Sequence, residues 1–194
     1  MLLVLAAACA APPADSGADS AGPADPVAAY DSDGDGILEV EDLRDGQVVL
    51  VCDLASVQGE AGGPAAWSTT EARIEPVEDA SWAVRADFAA GEGPTATDMA
   101  LVLRFLNGAT LSERSGALEY VSLAPADRDV LLVADDPGGS VDVVFVGAGR
   151  ASGTLDGVEP ELAGVDTATG AANGESLTLR AAVFRTLPVA SAAP

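Results

Sequence analysis

The chain has 194 residues and a mass of 19.3 kDa, with 31 Asp and Glu against nine arginines, no lysine and no histidine, for a formal charge of −22. Nucleic acid and anionic membrane surfaces are bound through clustered cations, and the arginines are spread from Arg44 to Arg185, so both are excluded as partners. Without histidine there is no Ser/His/Asp triad, no histidine-ligated zinc and no imidazole base near neutral pH. Alanine fills 39 positions and adds little buried area. The core must therefore rest on Val, Leu and eight aromatics: Tyr30, Trp67, Trp82, Phe88, Phe105, Tyr120, Phe145 and Phe184. Strong net charge keeps proteins soluble at high salt, so a saline habitat is one source of the acidic bias.

Residues 1–8 read MLLVLAAA, an apolar run too short for a bilayer, which takes about 20 residues. It ends at Cys9 behind three alanines. Small residues before a cysteine, after an apolar run, resemble the lipobox of bacterial lipoproteins, which implies export and lipidation of Cys9. The pattern departs at Ala6, where a large aliphatic residue usually stands, and in lacking a cationic n-region. An ordinary cleaved signal with an incidental Cys9 is the alternative. Residues 10–29 contain only Ala, Pro, Asp, Ser, Gly and one Val, the composition of a disordered tether. The protein is then expected outside the cytoplasm, anchored to a bacterial membrane or secreted. Two cysteines give no disulfide framework, and Cys52 in QVVLVCDL reads as a small buried hydrophobe rather than a reactive thiol.

Residues 31–43 read DSDGDGILEVEDL. Carboxylates stand at the first, third, fifth, ninth and twelfth places: Asp31, Asp33, Asp35, Glu39 and Asp42. Calcium takes six to eight oxygens, and alternate residues of a tight loop aim theirs at one centre. Gly36 permits the turn at the sixth place, and Ile37 at the seventh would offer its backbone carbonyl. Leu38 and Leu43 are placed to tie the loop into a packed unit. The stretch resembles the EF-hand calcium loop, closest to the dockerin-type variant in having Asp then Leu at its end. The resemblance implies Ca²⁺ held by Asp31, Asp33, Asp35, Ile37, Glu39 and Asp42. It covers residues 31–43 only: Pro23 and Pro26 interrupt any helix before it, Asp45-Gly46 leaves room for one short turn after it, and no second loop follows. Such an unpaired loop should bind weakly, roughly 10⁻⁴–10⁻³ M, in a structural rather than a sensing role. An acidic, solvated turn is the alternative.

Residues 47–187 are expected to form one all-β, antiparallel β-sandwich-like domain, with residues 30–46 as the calcium loop and 188–194 as a loose tail. Period-two alternation dominates. It places Trp82, Val84, Ala86 and Phe88 on one face, Met99, Leu101, Leu103 and Phe105 on another, and Leu177, Leu179, Ala181 and Val183 on a third. Strands are expected at 47–54, 69–75, 81–88, 98–106, 116–123, 129–134, 141–146, 151–155 and 176–187, with Asn107-Gly108 as a hairpin turn. Trp67 falls in a Gly/Pro/Ala-rich loop, where an exposed ring would stack on a sugar or partner. VDVVFVGAGRASG imitates a dinucleotide turn, but Ser152 replaces the third glycine and no helix follows.

Carboxylate pairs such as Asp135-Asp136, Glu159/Glu161 and Glu75/Glu78 lie beside turn residues, where solvated acids belong. No enzyme is expected. The reading is an exported, lipid-anchored calcium-binding protein whose β-domain is a binding or structural module for an unidentified protein or glycan. One rival is a dockerin-like docking protein, which needs exposed apolar residues around Leu38 and Leu43. The other is a calcium-dependent hydrolase, which needs a concave cluster of acids with raised pKa values.

Overall fold

The computed structural model describes residues 25–53, 64–77, 81–90, 98–106, 115–146 and 150–187. Cys9, most of the tether, the Asn107-Gly108 turn, the glycine turn at 147–149 and the tail from 188 lie outside them. The described chain is all-β, with a 3₁₀ turn at Val40–Asp42 as its one helical element. Its strands are β1 (Gln47–Asp53), β2 (Pro64–Thr69), β3 (Arg73–Pro76), β4 (Ser81–Phe88), β5 (Met99–Leu106) and β6 (Ser115–Pro125), then β7 (Val130–Asp135), β8 (Ser140–Val146), β9 (Arg150–Asp156), β10 (Glu161–Asp166) and β11 (Ala172–Arg185).

Alternation becomes pairing where the sequence shows it most clearly. On β4 and β5, Trp82 stands opposite Phe105, Val84 opposite Leu103, Ala86 opposite Leu101 and Phe88 opposite Met99, all toward the core. Cross-strand neighbours of this kind are the unit of sheet stability. All named strands pair antiparallel. The long strands β6 and β11 each divide one edge between two partners. β6 meets β8 through Ser115–Ala117 and β7 through Tyr120–Leu123, while β11 meets β10 near its start and β9 through Val183–Arg185. Since β7 pairs β10 and β8 pairs β9, two routes join β11 to β6 and the sheet closes on itself. Leu132 of β7, Leu162 of β10, Val141 and Val143 of β8 and Ala151 of β9 all enter one core with Leu50, Phe88, Phe105 and Phe184. β5, β4 and β3 continue from the free edge of β6, and β1 and β2 from that of β11. The result is a sandwich-like body whose layers are joined by hydrogen bonds rather than separate sheets. Gly153 of β9 is required by this closure, because a Cβ there would overlap the Asp142 carbonyl and the Phe184 ring.

The structure departs from the alternation at one place that matters. Val51 pairs Ala181 and Cys52 pairs Leu179, so Arg180 is an extra residue in β11. A bulge of this kind shifts every later side chain to the opposite face. Leu177 and Leu179 therefore share the main core with Ala182 and Phe184, while Val183 is buried on the outer face. β1 is likewise covered on both sides, with Val48, Leu50 and Cys52 inward and Val49 outward.

Two strands were not anticipated. β2 uses Pro64, Ala65 and Ala66, residues poor in strand propensity, and pairs β1 from Val48 to Asp53. It carries Trp67 onto the main core half-buried, which corrects its expected place in an exposed loop. β10 holds only Leu162 and Val165 as large apolar residues, and the expected strand at 69–75 begins later, at Arg73. The strands on either side of residues 147–149, β8 and β9, pair antiparallel with each other.

Candidate metal centre

The loop is entered from a hydrogen-bonded turn, in which the amides of Tyr30 and Asp31 both donate to the Val27 carbonyl. From there three aspartates turn the backbone around themselves. The Asp31 carboxylate accepts the Gly34 amide on Oδ1 and the Gly36 amide on Oδ2, both at 2.7 Å. Asp33 Oδ1 accepts the Asp35 amide at 3.2 Å, and Asp35 Oδ1 accepts the Ile37 amide at 2.8 Å. Short side chains that hydrogen-bond to backbone two residues on are the ordinary chemistry of Asp in turns. Gly34 and Gly36 supply the left-handed steps, at φ 78° and 85°. A carboxylate oxygen from each of Asp31, Asp33 and Asp35 then lies within 4.8 Å of the other two. Two oxygens on one calcium ion stand at most about 5 Å apart, so the spacing fits.

Of the six expected ligands, the structure brings these three together. Asp42 faces the same loop but is otherwise engaged. Its Oδ1 accepts the Ser32 amide at 2.8 Å and the Ser32 hydroxyl at 2.7 Å, and its Oδ2 accepts the Glu39 amide at 2.9 Å. Asp42 thus closes the loop onto itself, ten residues back. Glu39 stands outside the aspartate trio but within its field. Ile37 has its amide on Asp35, and its side chain is 57% exposed.

The electrostatics register the crowding. The Gly36 amide, with help from Gly34, holds the Asp31 carboxyl below the usual range. The Asp35 amide pulls Asp33 the same way, but the charge of Asp35, partial desolvation and the neighbouring Asp31 outweigh it and leave Asp33 raised. Glu39 is raised by desolvation and by the charges of Asp35, Glu41, Asp33 and Asp42. Asp42 is lowered by the Glu39 amide, then by the Ser32 hydroxyl and amide. Among the described carboxylates, Asp33 and Glu39 alone have a resolved upward shift, and both belong to this loop.

The loop is fastened to the sheet, which the sequence only hinted at. Leu43 is 4% exposed and buried with Val49 of β1 and Val183 of β11, and Tyr30, Leu38, Val40 and Ala66 pack around the three. The apolar side of the loop thus faces its own domain, and Leu43 offers nothing to a partner. Just beyond, Asp45 receives Arg185 at 2.7 Å and Arg150 at 2.9 Å, which ties the loop exit to β11 and β9. The Gly46 amide donates to the Arg185 carbonyl, and its own carbonyl accepts the Ala72 amide, each at 2.6 Å.

Cys52 lies in the core, and burial pushes its thiol far above the usual range, so it is no nucleophile. Among the described residues no helix is long and apolar enough to cross a membrane. Comparison with protein-family models, curated proteins and solved structures returns no match.

Proposed function

We propose that residues 31–42 bind one calcium ion, and that the ion locks the loop onto the β-domain of an exported, lipid-anchored protein. The convergence of Asp31, Asp33 and Asp35 carries the calcium reading. Two further facts support it. The like charges that raise Asp33, and that add to desolvation in raising Glu39, are what a divalent cation neutralises, and the ligands are all oxygen, which suits a hard ion. The EF-hand-like pattern of the sequence adds the Ile37 carbonyl, Glu39 and Asp42 to the ligand set. Asp42 accepts three hydrogen bonds, two on Oδ1 and one on Oδ2, which leaves an acceptor site on Oδ2 for the metal. The ion acts structurally, because Leu43, Val49 and Val183 transmit any tightening of the loop to β1 and β11. Export rests on the apolar run ending at Cys9, and the 10–29 segment would hold the β-domain, as a binding or structural module, away from the membrane.

Melting of the full chain in calcium, in magnesium and in chelator tests this. A ligand present at ten to a hundred times its dissociation constant stabilises the native state by about 1.4–2.7 kcal/mol. For a chain of this length that is a rise of about 3–10 °C. Asp33→Ala should gain nothing from calcium over its own melting temperature in chelator. Absence of the rise, or its survival in Asp33→Ala, would overturn the assignment.

A further inference from the structure

The loop packs on the outer face of β1 and β11 and its 3₁₀ turn reaches β9, so that a step forms where the loop edge meets the β8–β9 pair. At that step lies a cavity of about 590 Å³, with residues 37–41 as its wall and the outer face of the β8–β9 pair as its floor. On the floor Asp142 stands opposite Thr154, and Val144 opposite Ser152. Ile37, 57% exposed, and Val144, 44% exposed, both line this cavity, and they are two of the three exposed large hydrophobic residues described. Single apolar residues on a surface are ordinary, but two lining one hollow offer a shared aliphatic contact to whatever enters it. Glu39, Glu41 and Asp142 complete the lining. Arg150 and Arg185, in the adjoining hollow that shares Val40, Glu41 and Ser152, are both held by the single Asp45, so one positive charge remains beside Glu41, while Asp142 on the floor stands outside that hollow.

We propose that this step binds an extended peptide segment presenting an aliphatic side chain and an Arg or Lys two residues apart. Side chains at that spacing point to one side of an extended chain. The aliphatic group fits against Ile37 and Val144, and the cation against Asp142 on the β8 floor, with Glu39 left to the calcium loop. A second copy of this chain is a poor occupant, since each carries a net charge of −22. The proposal goes beyond the calcium reading and does not rest on it, because half the recess belongs to β8 and β9.

The test is fluorescence anisotropy of the full chain with a labelled peptide, Gly-Leu-Ser-Arg-Ser-Gly, and a twin in which serine replaces leucine. The leucine peptide should bind about tenfold more tightly than the twin, the effect of burying one aliphatic side chain. Val144→Ser and Ile37→Ser should each erase most of that preference, and Asp142→Asn should flatten the salt dependence. All three positions are on the surface, and melting checks that each variant is folded. Equal binding of the two peptides means adsorption to a polyanion and overturns the proposal. So does a preference that survives both serine variants, or sedimentation showing self-association that Val144→Ser abolishes. Peptide preference without calcium binding overturns only the calcium reading, and calcium binding without peptide preference overturns only this one.

Discussion

Leu43→Ala separates a loop that is part of the domain from one that merely hangs from it. The side chain is 4% exposed against Val49 and Val183, whose strand neighbours Leu50, Cys52, Ala182 and Phe184 fill the main core. Removing three buried carbons costs about 2.4 kcal/mol in transfer free energy, at about 0.8 kcal/mol each. A full cavity penalty would raise this toward the upper end of the Leu→Ala range, about 5 kcal/mol. Here the cluster lies under a short surface segment that can settle, so the loss should stay near about 2–3 kcal/mol. For a chain of this length the melting temperature should fall by about 5–10 °C in chelator, as read by far-UV circular dichroism or calorimetry. The variant should also bind calcium more weakly, since part of its population holds the loop unanchored. A melting temperature within about 1 °C of wild type, with calcium affinity unchanged, would refute the coupling, because the loop would then detach before the sheet unfolds.

Calcium affinity should fall with pH and begin to fall above about 4, the ordinary carboxylate range, because Asp33 and Glu39 take up protons early. In chelator the same two groups destabilise the ionised fold, and that penalty disappears as pH drops through their raised values. Asp31 and Asp42 run the other way, contributing stability above their unfolded values that is lost as pH falls through their lowered ones. Calcium titrations at stepped pH read the first effect, and an affinity flat down to ordinary carboxylate values contradicts it. Gly36→Ala meets no steric obstacle but must hold φ near 85°, at a cost of about 1–2 kcal/mol. Because the Gly36 amide orients Asp31, calcium should bind about tenfold more weakly with the circular dichroism spectrum unchanged, and an unaltered titration would speak against it.

What the sequence disclosed follows the strength of its local signals. β4 and β5 were legible because Trp82 to Phe88 and Met99 to Phe105 alternate without interruption and lie within one register. β2 was hidden because Ala65 and Ala66 carry almost no strand signal, and their pairing is dictated by β1 beside them. β11 was recognised as a strand but with Val183 on the wrong face, since nothing local announces the extra residue at Arg180. One clue to the docked loop was present. The run Val48 to Cys52 is apolar on both faces, which requires a cover on each side, and Leu43 lies near enough in the chain to supply one. In the loop itself, the alternate spacing of Asp31, Asp33 and Asp35 goes with three carboxylates that lie within 4.8 Å of one another. It did not reveal that Asp42, with Ser32 and the Glu39 amide as partners, closes the loop by hydrogen bonds.

The most direct test of the calcium centre is isothermal titration of the full chain with calcium and with magnesium, before and after Asp33→Ala. One calcium-selective site with a dissociation constant of roughly 10⁻⁴–10⁻³ M, lost in the variant, is the result expected. No calcium heat at millimolar concentration, together with an unchanged melting temperature, would reduce residues 31–42 to an acidic turn held together by its own hydrogen bonds.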